Sequence, residues 1–298
     1  MKKTLIALAA VAVSGAAMAQ VTMSGTIAYG FSSDTDVSGV KTSGYGGDTG
    51  AITFSASEDL GGGLKLNASM SLDVMGEGDT TEGNGNVLGL SGGFGSLTFS
   101  DVEGSDYLPV DGLTANGNGT VGDRVTYSLP TMVPGLSAAV SYKDGGAAAG
   151  YGMTTPAGAS TSVILGYKTG ALTLAALSTQ MTSGAVAAGL QSRVGYKIGY
   201  DLGVAAVTYG QLSTDNGTDV DNKETGLTVT APVGPVSVAL SYATSKNDGA
   251  VSRKGNGLKV SYPMSKRTTV AFYAESYDGA TAADANKTET SLKISHSF

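Results

Sequence analysis

Polar and apolar positions alternate with a period of two along most of this chain. Val21, Met23, Ile27, Tyr29 and Phe31 share one face of the first stretch, and Thr22, Ser24, Thr26 and Gly30 share the other. Leu64, Leu66, Met70, Leu72 and Val74 alternate with Lys65, Asn67, Ser69, Ser71 and Asp73 in the same way. Val236, Val238, Leu240 and Tyr242 stand against Ser237 and Ser241. Successive side chains of a strand point to opposite faces, so this period predicts strands with one apolar and one wetted face. About sixteen such strands are predicted. They lie at 21–31, 48–59, 64–76, 86–92, 96–101, 124–130, 136–144, 161–169, 171–181, 192–201, 204–213, 223–233, 236–246, 256–263, 268–277 and 288–298.

The connections alternate in length. Tight turns fall at Leu60–Gly63, Gly92–Gly95, Thr131–Gly135, Thr169-Gly170, Asp201–Gly203, Gly234-Pro235 and Ser265–Arg267. Between them lie polar, Gly/Asp/Asn-rich segments at 32–47, 77–85, 102–123, 145–160, 182–191, 214–222, 247–255 and 278–287. Seven short turns and eight long loops suit an even-stranded closed barrel with both termini at the short-turn end. Transmembrane barrels show that asymmetry. The polar face carries Lys65, Arg124, Lys143, Lys168, Arg193, Lys197 and Lys259. A barrel of about sixteen strands leaves an aqueous channel, so this face looks inward and the apolar face meets lipid. An open sheet edge in hydrocarbon would leave backbone groups unpaired, which demands closure. Tyr29, Phe31, Tyr127, Tyr142, Tyr167, Tyr196, Tyr200, Tyr242 and Tyr262 stand on the apolar face near strand ends, where an aromatic girdle belongs.

Composition narrows the chemistry further. The chain has 298 residues, 45 of them glycine, with no cysteine or tryptophan and a charged fraction of 14%. Disulfides, thiolate metal sites and cysteine nucleophiles are excluded. Lys2 and Lys3, the apolar run Leu5 to Val13 and Ala17-Met18-Ala19 form the three regions of a secretory signal peptide. Residues 1–19 are therefore expected to be removed, leaving a barrel of residues 20–298 that begins at Gln20. Losing two lysines takes the formal charge from −7 to −9. An acidic chain of this kind does not suit nucleic acid, which selects basic patches.

Several segments resemble those of Gram-negative general porins. Gln20–Gly30 (QVTMSGTIAYG) resembles the first strand of that family, and Ser57–Lys65 (SEDLGGGLK) its first periplasmic turn. Leu88–Phe99 (LGLSGGFGSLTF) resembles the fourth and fifth strands, and Arg124–Tyr142 (RVTYSLPTMVPGLSAAVSY) the next hairpin. The chain ends, as the family does, in a strand with a terminal phenylalanine, Ser295–Phe298 (SHSF). The likeness runs through the mature chain in short pieces that keep the family order. It implies a homotrimer of sixteen-stranded barrels in an outer membrane of lipid and lipopolysaccharide, with the third external loop folded inward. It also implies that Phe298 is read by the barrel-assembly machinery. Residues 102–123 match that loop by position. They form the longest connection, 22 residues against 16 for the next, a length that fits a segment reaching into the lumen. An arginine cluster found in some relatives is missing, since only Arg124, Arg193, Arg253 and Arg267 occur.

The best candidate site is this acidic loop region, with Asp101, Glu103, Asp106, Asp111 and Asp123. The alternative is an acidic loop lying over the barrel mouth. Inside the pore, its carboxylates would face Lys65, Arg124, Lys143 and Lys168, and charged rings bias ion selectivity. The carboxylates around the mouth, Asp34, Asp36, Glu77, Asp79, Glu82, Asp215, Asp219 and Asp221, would concentrate cations there. The expected channel is weakly cation-selective and passes small hydrophilic solutes and ions. Asp215, Asp219 and Asp221 form a carboxylate cluster of the kind that suits Ca²⁺, but a solvated acidic loop is the favoured reading. No other cofactor is implied. Gly117, Gly119 and Gly122 match a dinucleotide fingerprint without the strand and helix that it needs. Asn118, Asn216 and Asn286 satisfy the glycosylation pattern but read as ordinary loop residues. A barrel enzyme would need a nucleophile–base constellation, and the single histidine, His296, falls on the outward face of the last strand. A substrate-specific channel would favour inward aromatics, for which Tyr273 and Tyr277 are the candidates.

Overall fold

A computed structural model describes residues 20–73, 82–102, 107–110, 113–114, 123–144, 158–181, 188–217, 221–279, 281 and 285–298. The signal-peptide segment 1–19 lies outside them, as do Glu77, Asp79, Glu103, Asp106, Asp111, Gly117, Asn118, Gly119, Gly122 and Asp219. Sixteen strands are seen. These are β1 (Gln20–Thr35), β2 (Lys41–Gly61), β3 (Leu64–Asp73), β4 (Glu82–Gly92), β5 (Gly95–Ser100), β6 (Arg124–Ser128), β7 (Leu136–Lys143) and β8 (Ser160–Thr169). They continue as β9 (Leu172–Met181), β10 (Ala188–Asp201), β11 (Ala206–Gly217), β12 (Asn222–Val233), β13 (Val236–Asn247), β14 (Arg253–Pro263), β15 (Thr268–Tyr277) and β16 (Lys287–Ser297). Each pairs antiparallel with its chain neighbours, and β1 pairs with β16 to close the barrel. No helix occurs among the described residues.

The alternation sorts as expected. Val194, Tyr196, Ile198 and Tyr200 of β10 are exposed on one face, and Leu240 and Tyr242 of β13 on the same face. On the other face hydroxyls bond directly across the ladder: Thr53 with Ser71 (2.9 Å), Thr126 with Ser141 (2.8 Å), Ser162 with Thr179 (2.8 Å) and Thr228 with Ser241 (3.1 Å). Such pairs stabilise a sheet face that is not packed on a core.

The main departure from the predicted strands is at the first long loop. Residues 32–47 are mostly strand, because β1 runs to Thr35 and β2 starts at Lys41. Only five residues, 36–40, turn the hairpin, and Asp36 holds that turn by accepting the Ser38 and Val40 N–H groups at 2.9 Å. Residues 41–48 of β2 are exposed throughout, so both of their faces are wet and the sequence carries no alternation there. β10 and β14 likewise start several residues earlier than predicted, at Ala188 and Arg253.

The seam is closed by the last residue. The Phe298 N–H donates to the Gly25 carbonyl at 3.0 Å, and the Gly25 N–H donates to the Phe298 carbonyl at 3.1 Å. The Phe298 ring lies where a side chain at position 25 would otherwise stand. Glycine is needed at Gly25 for that close approach.

Candidate functional site

Three of the buried apolar side chains among the described residues belong to a loop. Leu108, Val110 and Leu113 are 4%, 2% and 3% exposed, although they lie in the connection between β5 and β6. Tyr107 covers Gly195 of β10, Leu108 meets Gly210 of β11, Pro109 meets Gly226 of β12, and Val110 with Leu113 meets Gly255 of β14. All four glycines stand on the face opposite the exposed apolar one. A segment leaving β5 reaches β10 to β14 only across the lumen. The apolar part of the loop therefore lies against the far inner wall, with Val110, Leu113 and Ala243 forming a small cluster backed by Tyr277.

The local structure of this segment is a tight turn. The N–H groups of Leu113 and Thr114 donate to the Val110 carbonyl at 3.3 and 3.2 Å, and the Thr114 hydroxyl donates to the carbonyls of Pro109 and Val110. Val110 takes a φ of 65°, unusual for a β-branched residue and sustained where surrounding packing over-determines it. Lys197 places its ammonium 4.2 Å from the centre of the Tyr107 ring, an attractive cation–π contact. Burial raises the pKa of the Tyr107 hydroxyl.

The predicted loop carboxylates are divided. Asp101 and Asp123 stand at the two roots of the loop; Glu103, Asp106 and Asp111 lie outside the described residues. Asp101 is not turned freely into the pore. Its carboxylate accepts the Asn86 backbone N–H and, at 3.2 Å, the Asn86 side-chain amide. The predicted wall cations are divided too. Lys65 and Lys168 each sit one residue from the short-turn end of their strands, at the rim. Arg124 and Lys143 are cross-strand partners farther up the wall. The four do not form one basic row.

Further lysines add to the lumen's charge pattern. Lys259 and Lys293 flank the inward Tyr273 ring at 5.0 and 4.8 Å. Lys293 also pairs with Asp48 at 2.9 Å. Asp48 is the extra residue of the bulge opposite Ala28/Tyr29, and a bulge re-aims a side chain in this way. Tyr277, the other predicted inward aromatic, is flanked by Arg253 and Lys287, each 5.8 Å from its ring. Lys197 and Lys259 belong to the polar face read from the sequence. Lys293 was legible only as the inward position between Leu292 and Ile294. Deeper in the wall, Glu224 is 2% exposed; it accepts the Ser245 hydroxyl at 3.3 Å and attracts Arg193.

In the predicted Ca²⁺ loop, Asp215 accepts the Gly217 N–H at 2.8 Å and Asp221 the Asn216 N–H at 2.9 Å. Both carboxylates thus organise the turn's backbone. No metal-binding group of His, Cys, Asp or Glu occurs among the described residues. His296 bonds to Thr268 at 2.9 Å across β15 and β16, away from the lumen.

A closed sixteen-stranded antiparallel barrel, apolar outside and polar inside, with the described part of one loop packed on its inner wall, has the architecture of a transmembrane channel. The sequence matches the Gram-negative porin family over residues 4–298, and the chain belongs to that family of outer-membrane channels, which are not enzymes. It is 39% identical over 115 residues to the major outer membrane protein P.IB of Neisseria lactamica, a stretch of 34% of this chain and 33% of that protein. It is 38% identical over 125 residues to outer membrane porin protein 32 of Delftia acidovorans, covering 37% of this chain and 33% of that one. These matches thus span about a third of each relative's length. Among solved structures, an anion-selective porin from Comamonas acidovorans superposes with a TM-score of 0.73 at 20% identity, over 94% of this chain and all of that one. OmpF of Salmonella typhi, in complex with daunomycin, gives 0.74 at 13% identity, over 94% and 98%.

Proposed function

We propose that this porin is a passive general-diffusion channel, a homotrimer in the lipid and lipopolysaccharide of the outer membrane, with loop 102–123 as its constriction. The observation that carries this reading is the packing of Tyr107, Leu108, Pro109, Val110 and Leu113 against the inner wall of β10–β14. A segment laid there reduces the free cross-section for every solute and needs no specific site. Phe298 serves assembly as well as closure, as the family resemblance implies.

We further propose that the channel prefers anions weakly. Arg124, Lys197, Lys259 and Lys293 each stand four residues before the short-turn end of their strands, β6, β10, β14 and β16. The inward carboxylates Glu224, Glu275 and Glu289 stand farther from that end, while Asp59 and Asp201, near the short-turn ends of β2 and β10, are engaged by the N–H groups of Gly61 and Gly203. Rings of lysine and arginine favour anions. This reading replaces the cation preference expected from the mouth carboxylates, whose reach through solution is only about 10 Å at 0.1 M salt. Reversal potentials across a planar bilayer under a KCl gradient test it. Wild type should show a chloride preference that shrinks in Lys259→Gln/Lys293→Gln. A potassium preference in wild type, or an unchanged potential in the double variant, would overturn it.

A further inference from the structure

We propose that Gly195, Gly210, Gly226 and Gly255 form a track without Cβ atoms that seats the constriction loop and thereby sets the pore's size limit. The inference rests on the reading that this loop narrows the pore, and it makes the loop a fixed constriction instead of a movable gate.

The four glycines stand at inward positions of β10, β11, β12 and β14, where neighbouring positions carry Lys197, Leu212, Glu224 and Arg253. A Cβ on Gly195 would lie 2.8 Å from the Tyr107 ring, and one on Gly210 would lie 2.8 Å from a Leu108 methyl. One on Gly226 would overlap the Pro109 ring, whose Cγ would stand 2.9 Å away. One on Gly255 would lie 2.8 Å from methyls of both Val110 and Leu113. None of the four has a positive φ, so backbone conformation does not demand glycine there. Close approach does: by the loop alone at Gly226, and by the loop together with Leu212 at Gly195, Lys197 at Gly210 and Tyr277 at Gly255. Glycine costs a strand stability through lost entropy and lost packing, so four at one contact point to the surface they admit. The loop answers with apolar or ring side chains, of which Leu108, Val110 and Leu113 are almost fully buried and Tyr107 and Pro109 half-buried. A seat of this kind fixes how far the loop stands from the opposite wall.

The test pairs an added methyl with removal of the group that it strikes, in the full-length trimer refolded into planar bilayers. Gly226→Ala should lift the loop from the wall, changing single-channel conductance and shifting the size limit for neutral saccharides in liposome swelling. Pro109→Ala alone, which opens space without a clash, should change both less. Gly226→Ala/Pro109→Ala should return both toward wild type, because the overlapping ring atoms are gone. An unchanged Gly226→Ala, or a double variant no nearer wild type than Gly226→Ala, would overturn the proposal. Should Gly226→Ala give no trimer, recovery of trimer in the double variant supports the track and failure to recover counts against it. Replacing residues 107–114 by a Gly-Ser linker separates the two ideas. Wild-type conductance in that variant would refute the constriction itself. Altered conductance there, with Gly226→Ala silent, would refute only the seat.

Discussion

Phe298 carries two contacts that single substitutions can separate. Its backbone makes the paired hydrogen bonds to Gly25 that end the β1–β16 seam, and its ring fills the space over the missing side chain of Gly25. Phe298→Ala keeps the backbone pair and loses ring burial. The ring is 40% exposed, so the cost should be well under the ~3–5 kcal/mol of a fully buried phenylalanine. Deleting Phe298 removes the backbone pair as well, each bond being worth about 1 kcal/mol net. Gly25→Ala strikes both the ring and the Ala51 carbonyl, the latter 2.7 Å from the new Cβ. Loss of the folded, heat-modifiable band on cold gels should therefore occur at progressively lower temperature from wild type to Phe298→Ala to the deletion, with Gly25→Ala also below wild type. Equal melting of all four would show that the seam does not depend on this residue.

At the scale of elements, the strands that meet lipid were legible in the sequence and the strand segments above it were not. Leu64–Asp73 alternates because one face is in hydrocarbon and the other in water, and β3 begins at the predicted residue. Residues 41–48 have water on both faces, so Ser43, Gly44, Gly46 and Gly47 read as loop, although they pair in register with β1. The inward path of residues 107–114 was legible only as length and position. The glycines that receive the loop are dispersed over four strands and meet only after closure, so no local pattern announces them. Burial of Leu108, Val110 and Leu113 follows from the same long-range pairing. The β1–β2 tip has a consequence of its own. Residues 36–40 project beyond the paired wall and are held by Asp36, so an epitope inserted after Ser38 should be tolerated, since loop length adds only about 0.6 kcal/mol per doubling. Trimer yield and conductance should match wild type, and antibody should bind intact cells. Labelling only after permeabilisation would invert the assignment of long loops to the outside.

For the whole molecule, polarity is reversed relative to a water-soluble barrel, and adjacent residues of one strand report it. Leu240 and Ser241 of β13 point to opposite faces; Leu240 is 57% exposed on the apolar face, while Ser241 bonds to Thr228 on the lumen face. In a soluble barrel the exposed residue would accept a charge freely and the inward one would not. Here hydrocarbon surrounds the exposed face. Leu240→Arg should cost about 2–4 kcal/mol if it reaches the bilayer midplane, measured by urea unfolding from phospholipid vesicles. Ser241→Arg enters water and loses only one hydroxyl bond, a cost of about 1 kcal/mol. It also adds a cation beside the lumen, so it should move the reversal potential toward anions while Leu240→Arg leaves it unchanged. The pairing of the two readouts is the decisive feature: stability falls with the outward substitution and selectivity shifts with the inward one. A large loss of stability for Ser241→Arg together with a neutral Leu240→Arg would mean that the apolar face is not the one in lipid.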